Sequence, residues 1–156
     1  MRRIVLLFFA LAAFLRLSAA DVELTRVWPA WHDAEAFDRV SEYFTGKEPT
    51  GGQIILRTHP DSRGGYYFLT RVKNSGATLE GAKFTVQVIS PTDPKPKTFV
   101  FPATIKAGAS VFNLGLTGAD WTDAKNPPVA WKLELVRGDG QVLASEKSFL
   151  WEKPAK

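Results

Sequence analysis

The 156-residue chain contains no cysteine. That absence excludes a disulfide framework, a thiolate metal site and a cysteine nucleophile, and it removes the residue to which a lipid anchor would be attached. Long apolar runs are missing too. The stretch Ile4–Leu15 stops at 12 residues, where Arg16 interrupts it, short of the roughly 20 needed to span a bilayer. Histidine is scarce, with only His32 and His59. There is no Gly-x-Ser-x-Gly elbow, no His-x-His and no His-Glu-x-x-His, so the common signatures of serine hydrolases and zinc enzymes are absent. No Asn-x-Ser/Thr acceptor occurs either, since Asn74-Ser75-Gly76 fails at its third position.

The chain does carry an export signature. Met1-Arg2-Arg3 precedes the apolar run, and Leu17-Ser18-Ala19-Ala20 supplies small residues at minus three and minus one. This is the n-region, h-region and cleavage site of a secretory signal. Residues 1–20 are expected to be removed, leaving Asp21 as the mature N-terminus. An exported chain without cysteines suits a bacterial envelope, periplasm or surrounding medium, better than an animal extracellular space.

Removing the signal changes the electrostatics. The chain has 20 basic and 16 acidic side chains; Arg2, Arg3 and Arg16 leave with the signal and no acid does, so the mature charge is 17 minus 16, or +1. The basic balance therefore belongs mainly to the targeting segment. With no run of Lys or Arg longer than two in residues 21–156, a nucleic acid partner is not indicated.

Residues 21–156 suffice for one hydrophobic core, and their pattern is mostly of period two. Val22–Trp28 reads as a strand ended by Pro29. Ala34–Phe44 has helical spacing through Phe37, Val40 and Phe44, with Asp33 placed as N-cap. Gln53–Arg57 is a strand with Ile54 and Leu56 inward. In Tyr66–Lys73, Tyr66, Phe68, Thr70 and Val72 face inward, while Tyr67, Leu69, Arg71 and Lys73 face solvent. Ala82–Ser90 alternates with Ala82, Phe84, Val86 and Val88 inward. Pro91–Pro96 is expected to be an extended connection. Strands follow at Thr98–Pro102, Val111–Leu116, Val129–Arg137 and Val142–Trp151, the last two joined as a hairpin by Gly138-Asp139-Gly140.

About eight strands and one short helix predict a two-sheet antiparallel β-sandwich of immunoglobulin-like or fibronectin-like type, with a small β-barrel as the alternative. The expected organisation is a single sandwich domain over residues 21–151, a helix–loop segment over 31–65 within it, and a flexible tail at 152–156.

Candidate sites are few. His32, Asp33, His59 and Asp61 could be drawn as a metal site, but their spacing is that of ordinary loop residues, so no metal or cofactor is expected. Ser62, His59 and Asp61 are too close in sequence for a triad. Arg137-Gly138-Asp139 is a hairpin turn before it is an adhesion tripeptide.

Aromatics are the better lead. Residues 21–156 hold five Trp, three Tyr and eight Phe, and most fall on inward positions. Trp28, Trp31, Tyr67 and Trp121 do not. Trp and Arg are the side chains most often found as binding hot spots, so the expected binding residues are Trp31, Arg57, Arg63 and Trp121. The sequence thus predicts a non-catalytic exported binding or accessory domain for a protein or glycan partner. The alternatives are a structural protein that works through an exposed edge strand, and a small envelope hydrolase.

Overall fold

A computed structural model describes residues 21–38 and 51–152. Two four-stranded sheets pack face to face. The strands are β1 (Val22–His32), β2 (Ile54–Arg57), β3 (Gly65–Asn74), β4 (Leu79–Ser90), β5 (Asp93–Ile105), β6 (Gly108–Thr117), β7 (Ala130–Val136) and β8 (Val142–Lys147). Sheet A has the order β1-β3-β6-β2 and sheet B the order β5-β4-β7-β8. Every pairing is antiparallel except that of β2, which runs parallel to β6.

The alternation sets the core. Phe68, Phe84, Phe112, Leu114, Leu116, Leu133 and Leu135 are wholly buried between the sheets. Phe84 of sheet B meets Phe112 of sheet A with ring centroids 4.9 Å apart. Each such side chain contributes about 1.5–3 kcal/mol by leaving water. Tyr66, Thr70 and Val72 are buried on the same inner face of β3, and Ile54 and Leu56 of β2 pack against this core. Asn74 closes one end. Its amide nitrogen donates to the carbonyls of Ala77 at 2.9 Å and Ile105 at 3.2 Å, and its oxygen accepts from Gly76 N–H. One side chain thereby ties two turns together.

The structure departs from the sequence expectations in several places; the last strand, expected over Val142–Trp151, stops at Lys147 and is followed by a 3₁₀ turn at Phe149–Glu152. β1 does not end at Pro29 but continues to His32. It is an edge strand, where a missing N–H costs no ladder bond on the open side. The helix expected from Ala34 is a single 3₁₀ turn, Ala34–Phe37, and Asp38 is already extended at φ −74° and ψ 130°; the remainder of that expected helix lies outside the described residues. Asp33 makes no side-chain cap bond. β5 begins inside the proline-rich stretch, at Asp93, because it too is an edge strand that tolerates Pro94 and Pro96. Val129, expected inward, precedes β7 and is 46% exposed.

Candidate binding site

β3 alternation turns Tyr67 to the outer face of sheet A, opposite Gly115 of β6 and in one row with Arg57 of β2. The sequence assigned that face to solvent, yet Tyr67 is fully buried. Its cover comes from the 3₁₀ turn, which lays Phe37 on the Tyr67 ring at 4.8 Å. His32 meets both rings edge-on, at 5.8 Å and 5.6 Å. The Arg57 guanidinium sits 4.8 Å over Phe37, and its Nε donates to the Tyr67 hydroxyl at 2.7 Å. That hydroxyl donates in turn to the Arg63 carbonyl at 2.5 Å, and Arg63 Nη1 reaches Asp38 at 2.7 Å. Burial among these groups lowers the His32 pKa, partly offset by the Asp33 charge. Arg57 and Arg63 are thus both engaged in fastening the turn to the sheet.

The two tryptophans lie elsewhere. Trp31 pairs with Tyr66 in register and packs against the core from the β1 edge, while its Nε1 donates to Asp33 at 2.7 Å. Trp121 is no exposed loop residue. It is 8% exposed and stacks obliquely on Tyr66 at 5.9 Å, as part of the core. The four expected residues therefore do not share one surface: Arg57 and Arg63 meet on the outer face, Trp31 is half-buried at the β1 edge, and Trp121 belongs to the core.

Trp28 is a tryptophan that does reach solvent, at 56% exposure. A bulge between Leu24 and Arg26 shifts the β1 register by one residue. Val27 then faces the core and Trp28 points away from it, beside Leu69 of β3. The Arg26 guanidinium lies 4.3 Å over the Trp28 ring, and Arg26 pairs in register with exposed Arg71. Bulges re-aim side chains in this way, and simple alternation cannot show where one falls.

A second feature lies beside Trp121. The turn after β4 and the loop after β6 bound a cleft of about 280 Å³, lined by Ser90, Thr92, Lys97, Asp120, Asp123 and Trp121 among others. Asp123 accepts from the Lys125 backbone N–H at 2.8 Å and from the Asn126 amide, and these bonds hold its carboxyl below the ordinary range. The buried Trp121 Nε1 has no hydrogen-bond partner among the described residues, an omission that costs about 1–3 kcal/mol.

The histidines do not converge on an ion. His59 Nε2 faces Asp120 at 3.1 Å, while His32 is held by the rings of Phe37 and Tyr67. Among the described residues no group of three or more His, Asp or Glu side chains is arranged to hold a metal. Nor is any described helix long and apolar enough to cross a membrane. No protein-family model and no curated protein matches the chain.

Proposed function

We propose that this chain is an exported, non-catalytic binding or accessory domain that holds a protein or glycan partner on the outer face of sheet A, around Trp28. The observation that carries the reading is the exposed indole of Trp28 with the Arg26 guanidinium over it and Arg71 alongside. A large rigid ring beside two cations is the chemistry of a binding hot spot, and it favours a partner surface that brings acidic groups. The strand order supports a fibronectin-like scaffold: β1-β3-β6 against β5-β4-β7-β8 is the order of that sandwich, with β2 added in parallel at the free edge of β6.

The strand-pairing alternative is less well supported, because the edges are guarded. β1 carries a bulge and Pro29, β2 has four residues, β5 carries Pro94, Lys95, Pro96 and Lys97, and β8 is short and ends in Glu146 and Lys147. These are the devices that keep sheet edges from pairing. A hydrolase is also less favoured. The sequence carries no Gly-x-Ser-x-Gly elbow and no His-Glu-x-x-His, so the common hydrolase signatures are missing.

The test is capture from envelope extract by immobilised mature protein, comparing wild type with Trp28→Ala and Arg26→Ala. Loss of the captured partner in both variants, with unchanged unfolding midpoints, supports the reading. Undiminished capture by Trp28→Ala overturns it.

A further inference from the structure

We infer that the ligand held at Trp28 is an acidic glycan: one sugar ring rests on the indole, and the acid group it carries is gripped by Arg26 and Arg71 together. The inference rests on the reading of this surface as the binding site and adds the chemical class of the ligand.

The charges come first. Arg26 and Arg71 stand directly opposite each other on β1 and β3, and both are exposed. Further along the same strand pair the charges are complementary, with Glu23 opposite Lys73. Like charges directly opposite destabilise a sheet. Neither guanidinium makes a salt bridge among the described residues that would offset this. Two guanidinium forks side by side match the planar, bidentate geometry of an oxyanion. An anionic ligand thus relieves a repulsion that the sheet otherwise carries.

The apolar surface then selects the kind of anion. The centre of a protein–protein interface is fully buried, apolar and rich in aromatic residues. Trp28 stands alone on its face. The other large apolar side chains exposed among the described residues are Val100, Val129, Val142, Phe149 and Leu150, and they lie on β5, on β8 or beside β7 and β8, none of them on sheet A. A nucleic acid strand needs a longer basic track than this. One aromatic ring is enough for a sugar, whose C–H groups carry partial positive charge and meet the negative face of the indole. The Arg26 guanidinium lies 4.3 Å over the ring, yet 56% of Trp28 stays exposed. Residues two apart on a strand share a face at about 7 Å, so the ring platform and the cation pair are close enough for a single acidic sugar to touch both.

The indole N–H signal of Trp28 reads this surface. Proton–nitrogen correlation spectra of the mature protein, with the five indole signals assigned through bonds, are followed during titration with an oligomer of galacturonic acid and with glucose 6-phosphate. Glucose serves as the neutral sugar, and poly-glutamate and oligothymidylate as anions of the other two classes. The expected result is a saturable shift of the Trp28 signal with at least one acidic sugar, at an affinity about tenfold or more above that for glucose, poly-glutamate or oligothymidylate. Arg71→Gln should weaken the binding about tenfold or more, because a charge-assisted hydrogen bond is lost. The same variant should not lower the urea midpoint, since it removes a like-charge pair. A Trp28 signal unmoved by both acidic sugars, equal affinity for glucose or for either other polyanion, or undiminished affinity in Arg71→Gln overturns the inference. If capture from envelope extract is still lost in Trp28→Ala when no acidic sugar binds, the ligand class alone falls; if Trp28→Ala captures as well as wild type, the binding surface falls with it.

Discussion

The Tyr67 ring occupies the space above Gly115: a Cβ placed on Gly115 would stand 2.4 Å from Tyr67 Cε1. The two residues are register partners on β3 and β6. The ring cannot move aside freely, because Arg57 and Arg63 hold its hydroxyl and Phe37 lies on it. Gly115→Ala should therefore destabilise the fold by about 1–3 kcal/mol through overpacking, read from the urea midpoint at constant slope. In a Tyr67→Ala background the same substitution should cost only a few tenths of that, giving a large coupling energy in the double-mutant cycle. An equal cost in both backgrounds would show that the ring is not what the methyl group meets.

Trp28 and Trp121 should separate cleanly in stability. Trp121→Ala removes a buried ring from the core cluster and is expected to cost about 3–5 kcal/mol. Trp28→Ala removes an exposed ring whose contact with Arg26 is worth about 0.5–1 kcal/mol, so its unfolding midpoint should shift little. Urea titration of the two variants side by side checks this. A Trp28→Ala loss comparable with that of Trp121→Ala would place Trp28 in the structural core.

The contrast shows which information the sequence carried. Inward positions on β3, β4 and β6 were legible because each strand keeps strict period two, as Phe84-Val86-Val88 and Phe112-Leu114-Leu116 do. Trp28 was set apart from the inward positions and is indeed exposed; what alternation could not show is the bulge at Leu24/Arg26 that turns it outward. Tyr67 was misread. Its face of the sheet is solvent-like at Arg71 and Lys73 but is covered at Tyr67 by a short turn from a different part of the chain. Pro29 and Pro94 read as strand breaks because edge position is a property of the assembled sheet. Trp121 looked like a loop residue, and it is one; the loop folds it back onto Tyr66.

Processing gives a third prediction. The first described residue, Asp21, is already fixed, its carbonyl accepting from Ser75 N–H at 2.7 Å and Ser75 Oγ at 3.0 Å. Cleavage between Ala20 and Asp21 would leave those bonds intact, since they use the carbonyl side of the residue. N-terminal sequencing of protein exported by its own signal should begin at Asp21. A chain that retains residues 1–20 in the membrane fraction would instead make that segment an anchor.

The fourth prediction concerns pH. Burial between Phe37 and Tyr67 lowers the His32 pKa, with Asp33 opposing the shift in part. The unfolded chain then binds a proton at His32 more readily than the folded one, and stability rises with pH wherever that holds. The neutral imidazole's contribution is complete above the unfolded value of about 6.5. It is lost as pH falls from there through the lowered folded value. His32→Phe keeps an aromatic ring against Phe37 and Tyr67 but cannot take up a proton. The wild-type urea midpoint should therefore fall between pH 7 and the folded pKa more steeply than that of His32→Phe, and the two curves should run parallel above pH 7. The Asp and Glu residues titrate in both proteins, so the difference between the curves isolates His32. Curves that stay parallel down through pH 5 would show that His32 carries its proton as easily in the folded state as in the unfolded one, and that Phe37 does not shield it.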